Sequence, residues 1–273
     1  MMMTQTLSAY RILGESQAMQ TLAAWVHTAA PHVDPILLTG ERGTGKELLA
    51  HAIHTLGPAK GTMVILDCST LPLSTLESVL FGHERGSFTG ATHRHIGLLE
   101  NAQGGSLFID ELHTLPLSVQ HRFLRFIEEG HILRIGGTLP LTIHCRIIAA
   151  SNRDLAAAVA GGRFLPDLYD RLNVLHATIP PLRERGEDRW LLFRHFIGND
   201  AAARLTPEAR TILAAHPFYG NVRELKTLCR RLSIFHPQDV ITGEIIQQHL
   251  EPSPPHPGLS RDAEIAAGAA CQG

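Results

Sequence analysis

Short apolar runs alternate with amphipathic segments along the first two thirds of the chain. Buried strands are predicted where apolar residues run together, at 36–38, 64–66, 107–109 and 145–150. The spacing of Val119, Phe123 and Phe126 predicts a helix between the last two strands. A further helix is predicted over 16–29, with Ser16 as its N-cap. This alternation is typical of a parallel sheet covered by helices, which places the chain in the α/β class.

The pattern changes near residue 180. Pro180 and Pro181 interrupt it, and the segments that follow have only helical periodicity. We therefore expect an α/β domain over 8–180 and a small all-helical domain over 181–250. The remaining residues, 251–273, begin with four closely spaced prolines and are predicted to form a disordered tail.

A glycine-rich turn separates the first predicted strand from the helix that follows. The turn and the start of that helix read Gly40, Glu41, Arg42, Gly43, Thr44, Gly45, Lys46 and Glu47. Glycines let backbone N–H groups converge on an anion, and the helix N-terminus adds its positive dipole end. Lys46 is expected to reach the terminal phosphates of a nucleotide as a point charge. A turn without a ligand is the alternative, and the strand before it and the helix after it disfavour that alternative.

Polar residues follow two of the other predicted strands. Asp110 and Glu111 end the strand at 107–109, and in a parallel sheet such acids lie beside the phosphate-binding turn. Asp110 is expected to hold Mg²⁺ or its waters, and Glu111 to orient and deprotonate the attacking water. An acidic pair that caps the next helix is the alternative. Asn152 is predicted to sense the γ-phosphate. Capping of the helix at Asp154 by Ser151 or Asn152 is the alternative, and the two roles are compatible.

Composition and charge exclude several classes of protein. The chain has 273 residues, 44% of them hydrophobic, and a net charge of −2, so no global basic field draws it to nucleic acid. No apolar run is long enough to cross a membrane, and the first residues lack the pattern of a signal peptide. A cytoplasmic protein without membrane contact is expected. The 4 cysteines and 17 histidines show no metal-binding spacing.

The segment 81–91 reads F-G-H-E-R-G-S-F-T-G-A and resembles the GAFTGA loop of bacterial sigma-54-dependent transcription activators. The likeness to the central AAA+ domain of this family spans roughly 10–250. It implies an AAA+ P-loop NTPase fold, with a parallel sheet between helices followed by a small helical lid. It also implies ATP and Mg²⁺ as cofactors and sigma-54 as the partner. The residues implied to bind sigma-54 are Gly86, Ser87, Phe88, Thr89, Gly90 and Ala91, with Ser87 in place of the family's first alanine.

Other segments are similar to the same family. The segment 14–16 matches the part of the family that lies near the adenine, and Glu47 is a family trait in the phosphate loop. The segment 135–137 lies where the family inserts a second loop. Arg223, within 220–225, matches the second sensor and is implied to reach the γ-phosphate from the lid.

The chain departs from the family at two positions that bear on catalysis. The family supplies trans-acting arginines from a stretch written F-R-x-D-L-x-x-R-L. Arg171 keeps the second arginine, but Leu165 replaces the first. Asp67 stands where the family commonly has an asparagine that switches the catalytic glutamate, and near Glu111 it would repel that carboxylate or raise one pKa. These departures predict an ATPase that is weak alone or active only beside a partner subunit.

Three functions are compatible with these residues. The first is an ATP-hydrolysing activator of sigma-54 RNA polymerase that works as a hexameric ring through the 86–91 loop. The second is a weakly catalytic or non-catalytic regulatory subunit that assembles with a competent paralogue. The third, a protein unfoldase, is disfavoured because its substrate loops do not need the G-S-F-T-G-A string. The chain after 250 is too short for the family's helix-turn-helix domain, so only indirect contact with DNA is expected.

Overall fold

The computed structural model describes residue 7 and residues 9–250, and a parallel sheet organises the first part of the chain. The strands are, in chain order, β1 Ile36–Thr39, β2 Met63–Asp67, β3 Ser106–Asp110, β4 His131–Ile132, β5 Leu141–Thr142, β6 Arg146–Ser151 and β7 Leu175–Thr178. The main sheet has the order β2-β3-β6-β1-β7 with parallel neighbours, and β4 and β5 form a separate antiparallel pair. All the carboxyl ends of the main strands therefore meet at one edge.

Helices cover both faces of this sheet. They are α1 Gln17–Ala29, α2 Lys46–Leu56, α3 Leu73–Phe81, α4 Leu98–Asn101, α5 Leu117–Glu129, α6 Leu155–Ala160 and α7 Pro166–Leu172, with 3₁₀ turns at Leu112–Thr114 and Leu182–Glu184. Side chains alternate along each strand, so Leu107 and Ile109 join one core cluster while Phe108 joins the other. This confirms the predicted sheet between helices. The helix predicted at 16–29 is α1, and the Ser16 hydroxyl caps it by accepting the Met19 N–H.

One strand prediction needs correction. The segment 64–66 lies in β2 as predicted, but it is not a buried strand, because Ile65 is 42% exposed and Val64 is half-buried. The cause is its position at the edge of the sheet, where it pairs only with β3. The central strand β6 is buried at every residue.

The later part of the chain is helical. Its helices are α8 Asp188–Ile197, α9 Asn199–Ala203, α10 Pro207–Ala215, α11 Asn221–Phe235 and α12 Gly243–His249. Thr206 caps α10 by accepting the Ala209 N–H, and Pro207 occupies the first turn, where its missing N–H costs nothing. Among the described residues, no helix is both long and apolar enough to cross a bilayer.

The chain separates into two compact units between Leu192 and Phe193. The bounds expected from the sequence, 8–180 and 181–250, stay a prediction. The tail expected at 251–273 lies outside the described residues.

Candidate active site and partner-binding loop

The glycine-rich turn between β1 and α2 folds around the side chain of its own lysine. Gly40, Gly43 and Gly45 all have positive φ angles, of 149°, 76° and 103°, in which glycine is favoured. Lys46 is the first residue of α2, and its buried Nζ donates to the carbonyl oxygens of Gly40 at 2.8 Å and Glu41 at 3.1 Å. The turn thus combines a helix N-terminus with an ammonium group, which is the arrangement that binds phosphate.

Side chains from the segment after β7 brace this phosphate loop. Arg183 donates two hydrogen bonds to the Glu41 carboxylate, at 2.8 and 2.6 Å. The buried Arg185 donates from Nη2 to the Thr44 carbonyl at 3.0 Å, and burial lowers the pKa of Arg185 to about 10. Glu47 is exposed in the first turn of α2. The loop is therefore held in shape by charged groups from the segment that contains Arg183 and Arg185.

The sheet order brings the predicted catalytic residues together. Because β6 lies between β3 and β1, Asn152 at the end of β6 reaches Glu111 at the end of β3, and its Nδ2 donates to Oε1 at 2.9 Å. Arg42 of the phosphate loop lies on the same oxygen, with Nε 3.4 Å away. Asp154 caps α6 with its own side chain, and the sensing role of Asn152 stays a prediction.

Glu111 is a nearly buried carboxylate on a left-handed backbone. It is 8% exposed, with φ 52° and ψ 41°, and its side chain does not cap the following 3₁₀ turn. Its Oε2 lies 3.5 Å from Nδ1 of His113 and has no hydrogen-bond partner among the described residues. One oxygen of the acid is therefore anchored, and the other has no donor of its own.

Asp110 is the carboxylate that suits Mg²⁺ best. Its Oδ1 accepts the Glu111 N–H at 2.8 Å, and burial raises its pKa, while Lys46 opposes that rise. Mg²⁺ takes one or two carboxylates together with waters and substrate phosphates. In the part of the chain that the structure describes, no cluster of three or more metal-ligating side chains forms. A single carboxylate beside the phosphate loop is consistent with a metal of that kind.

Asp67 lies on β2 in register with Asp110 on β3. Its Oδ1 accepts the backbone N–H of Ser69 at 2.9 Å and the Ser69 hydroxyl at 2.7 Å. The hydrogen bonds of Asp67 are therefore made within its own turn rather than with Glu111. Its charge still acts on the site, because Asp67 adds to the burial that raises the pKa of Asp110.

Sequence reasoning missed His113 and Asp188. Burial lowers the pKa of His113 against the opposing effect of Glu111, so a neutral imidazole borders the acid. Asp188 is 1% exposed, and it accepts the N–H groups of Glu15 at 2.6 Å and Ser16 at 2.9 Å and the Ser16 hydroxyl at 2.6 Å. The segment matched to the adenine side of the family's site is therefore fixed by a buried charge. The available signal for His113 was its place two residues after Glu111, whereas Asp188 had no local signal.

The two residues discussed as trans-acting groups lie on or beside α7. Arg171 is 60% exposed and its Nη2 lies 3.3 Å from Oε1 of Glu128. Leu165 is the N-cap residue of α7, and its backbone N–H donates to Oε1 of the buried Gln120 at 2.9 Å. Its side chain packs partly against the core and carries no charge. Arg223 lies on α11 in the second unit, and its predicted role at the γ-phosphate stays a prediction.

The segment 86–91 is a turn between α3 and α4 that is exposed at Phe88, Thr89 and Gly90, whereas Ala91 is buried and is not placed to contact a partner. Gly86 N–H donates to the Ala91 carbonyl at 2.8 Å, and Ala91 N–H donates to the Phe88 carbonyl at 3.0 Å. Gly86 and Gly90 have φ angles of 81° and 100°. Phe88 is 47% exposed, with its ring 5.0 Å from that of His83, and Thr89 is exposed. The turn therefore presents an aromatic ring and a hydroxyl to solvent.

A second loop supports this turn. A Cβ added to Gly136 would lie 2.6 Å from Cβ of Ser87, so the two loops pack closely at that point. The Ser87 hydroxyl is buried there without a hydrogen-bond partner among the described residues. Arg134 joins the same region by donating to Glu84 at 2.7 Å and to Glu100 at 2.9 Å. The exposed turn therefore packs against this second loop, which contains Arg134 and Gly136.

Residues 12–178 match the family model described as the sigma-54 interaction domain, and residues 183–262 match that of the AAA+ ATPase lid domain. The chain belongs to the sigma-54 interaction domain family. The resemblance found on the 81–91 segment is thereby confirmed, as is the fold of an AAA+ NTPase with a helical lid.

Similar proteins span more than this sigma-54 interaction domain and its lid. The transcriptional regulator NtrC of Rhizobium meliloti is 42% identical over 259 residues, which cover 92% of this chain and 53% of that protein. The chain spans about half the length of the curated relatives it matches. A crystal structure of NtrX from Brucella abortus in complex with ATP matches with a TM-score of 0.77 and 32% identity, over 88% of this chain and 58% of that one. The same protein in complex with ADP matches with a TM-score of 0.78 and 30% identity, over 96% and 60%.

Proposed function

We propose that this chain hydrolyses ATP and uses the energy to activate sigma-54 RNA polymerase. One observation carries the proposal. The same compact unit holds a phosphate loop with an acid pair and, between β2 and β3, an exposed turn that presents Phe88 and Thr89. Membership of the sigma-54 interaction domain family supports sigma-54 as the partner. Since the polymerase works on DNA in the cytoplasm, we assign the chain to that compartment.

The residues of the site divide the chemistry between them. The Lys46 ammonium and the N-terminus of α2 bind the β- and γ-phosphates, and Asp110 would hold the Mg²⁺ that neutralises charge on them. Glu111 accepts a proton from the attacking water while Asn152 keeps its carboxylate in place at 2.9 Å. The charge of Asp67, on the neighbouring strand, helps to raise the pKa of Asp110.

The connections of the sheet suggest how hydrolysis moves the partner loop. β2 ends at Asp67 and leads through α3 into the turn, and α4 returns from the turn to β3, which ends at Asp110. The segments on either side of the turn therefore connect it to β2 and β3, the two strands that carry acids of the site. A change at the γ-phosphate that shifts Glu111 has a short covalent route to Phe88.

We further propose that ATP is bound at the seam between subunits of a ring. Arg171 is exposed on α7, where it can reach a neighbouring copy, and Arg223 on α11 is assigned to the lid side of the same nucleotide. The ring is hexameric and contains copies of this chain or of a paralogue.

Sigma-54 binding in the presence of ADP and aluminium fluoride tests the proposal. Wild type is expected to bind, and Thr89→Ala to bind at least about tenfold more weakly, because Thr89 lies at the tip of the turn. Thr92→Ala, just outside the turn, is the matched control and is expected to bind normally. Glu111→Gln is expected to abolish turnover while ADP still binds. Wild type that takes up the mimic but ignores sigma-54 would refute the proposal.

A second function is favoured by one specific observation. Leu165 brings an uncharged, partly buried side chain to the position of a trans-acting arginine, so the chain would be a weakly catalytic subunit that assembles with a competent paralogue. Leu165→Arg is then expected to raise turnover strongly. Robust turnover by the unmixed wild type excludes this second function.

A further inference from the structure

Arg42 is a cation of the phosphate loop that contacts the predicted catalytic acid. It is the third residue of the phosphate loop, four residues before Lys46, and its Nε lies 3.4 Å from Oε1 of Glu111. Its side chain is 69% exposed, whereas that of Glu111 is 11% exposed. The guanidinium therefore contacts the catalytic acid from the solvent side of the loop.

This contact places the guanidinium at the γ-phosphate end of the site. In the proposed hydrolysis the water oxygen bonds to the γ-phosphorus, the bond from that phosphorus to the β–γ bridging oxygen breaks, and ADP leaves with the electron pair. The water proton passes to Glu111. The Arg42 guanidinium belongs to the phosphate loop and also contacts Glu111. It therefore borders the equatorial oxygens of the transferred phosphoryl group, where charge is redistributed in the transition state.

The ion pair alone does not account for Arg42. At 3.4 Å this pair is longer than a good charge-assisted hydrogen bond, and its Arg42 side is largely exposed. Glu111 also keeps the 2.9 Å hydrogen bond from Asn152 when Arg42 moves away. The planar fork of the Arg42 guanidinium also suits phosphoryl oxygens.

The same site lacks a charge from elsewhere. At position 165 the trans-acting stretch of this chain has a leucine, whose backbone N–H is held by Gln120 and whose side chain packs partly against the core. A neighbouring copy thus brings Arg171 but no arginine at the first position. Compared with the stretch that the family resemblance implies, a neighbouring copy would bring one arginine fewer to the γ-phosphoryl group.

We propose that Arg42 supplies this charge in cis, as an arginine that contacts the γ-phosphoryl group in the transition state. The inference rests on the proposed ATP hydrolysis and goes beyond it, because it assigns a catalytic role to a loop residue whose charge would offset Leu165. Trans arginine fingers are worth about 10³–10⁵ in rate, and an exposed cis arginine with Arg171 still present would contribute less.

The test compares Arg42→Ala with wild type in steady-state ATP hydrolysis at a fixed, high protein concentration. We expect kcat to fall by about 100-fold with little change in KM, since the charge acts in the transition state. Arg42→Lys keeps a positive charge and is expected to lose less. Arg125→Ala, an exposed arginine on α5 that pairs with Glu129, is the matched control and is expected to behave as wild type. In the double variant Arg42→Ala/Leu165→Arg, the trans arginine is expected to restore much of the loss.

A binding measurement separates this inference from the proposed function. Arg42→Ala is expected to bind ADP as wild type does but to bind ADP with aluminium fluoride at least about tenfold more weakly. Turnover by Arg42→Ala that equals or exceeds that of wild type, with unchanged affinity for the mimic, would overturn the role of Arg42 alone. If wild type neither hydrolyses ATP nor binds the mimic, the proposed function and this inference both fail.

Discussion

Among the side chains described above, we expect the loss of the Asp188 carboxylate to lower the free energy of unfolding most. Asp188→Ala removes an acceptor for three donors, the N–H groups of Glu15 and Ser16 and the Ser16 hydroxyl, at 2.6, 2.9 and 2.6 Å. The side chain is 1% exposed, so water replaces it poorly. It also borders Arg185, whose buried guanidinium gains a favourable interaction from it.

The magnitude follows from the number and kind of these bonds. A hydrogen bond to a charged group contributes about 1.5–3 kcal/mol, and breaking a buried charged contact costs about 3–5 kcal/mol when the partners stay unsatisfied. We therefore expect Asp188→Ala to lower the free energy of unfolding by about 3–5 kcal/mol. The affinity for ADP should fall as well, because the 14–16 segment loses its anchor.

Urea unfolding followed by tryptophan fluorescence measures this change. The chain has 2 tryptophans, Trp25 and Trp190, and both lie in the compact unit that contains Asp188. The urea midpoint is expected to fall by roughly 1 M or more. Glu187→Ala removes the exposed neighbouring acid and serves as the control, with a change within about 0.5 kcal/mol. A loss below about 1 kcal/mol for Asp188→Ala would refute the reasoning.

Three further predictions concern the partner-binding turn and its base. Gly136→Ala places a Cβ 2.6 Å from that of Ser87, at a φ of +73°, so sigma-54 binding should fall. Gly130→Ala is the control: its φ of +70° gives the same backbone strain, but no atom lies within 4 Å of the added Cβ, so this variant should bind sigma-54 normally. Ser87→Ala removes a buried hydroxyl that lacks a partner and should raise the stability by about 1 kcal/mol, measured by urea unfolding; a loss of stability would contradict this. Hydrogen bonds from Arg134 and the Gly97 N–H outweigh burial and hold the pKa of Glu100 below its ordinary value of 4.5. The ionised form therefore stabilises the fold above that value, and the stability difference between wild type and Glu100→Gln should shrink as the pH falls below about 4.5.

The parts of the site that could be predicted from the sequence are those formed by residues that are contiguous along the chain. The phosphate loop, the acid pair and the 86–91 turn each depend on local spacing, and the order of parallel strands then brings Glu111 and Asn152 together. Short apolar strands were equally visible because burial dictates their composition.

The features that the sequence did not predict depend on distant residues or on position in the sheet. Asp188 contacts residues 172 and 173 positions away, and Gln120 joins the backbone of Leu165 across 45 positions. β7 was missed because its four residues, L-H-A-T, mix polar and apolar side chains at the edge of the sheet. The exposure of Ile65 likewise follows from the strand order, which no local pattern contains.

At position 111, the left-handed backbone conformation and the catalytic role of the side chain favour different amino acids. A left-handed conformation costs an ordinary side chain about 1–2 kcal/mol, and only glycine adopts it without that cost. Selection for thermal robustness alone would thus favour glycine at this position, while selection for turnover retains an acid. A lineage freed from the need to hydrolyse ATP has a route to greater robustness through this one codon, so the amino acid at position 111 is a sensitive record of whether related chains still work as motors.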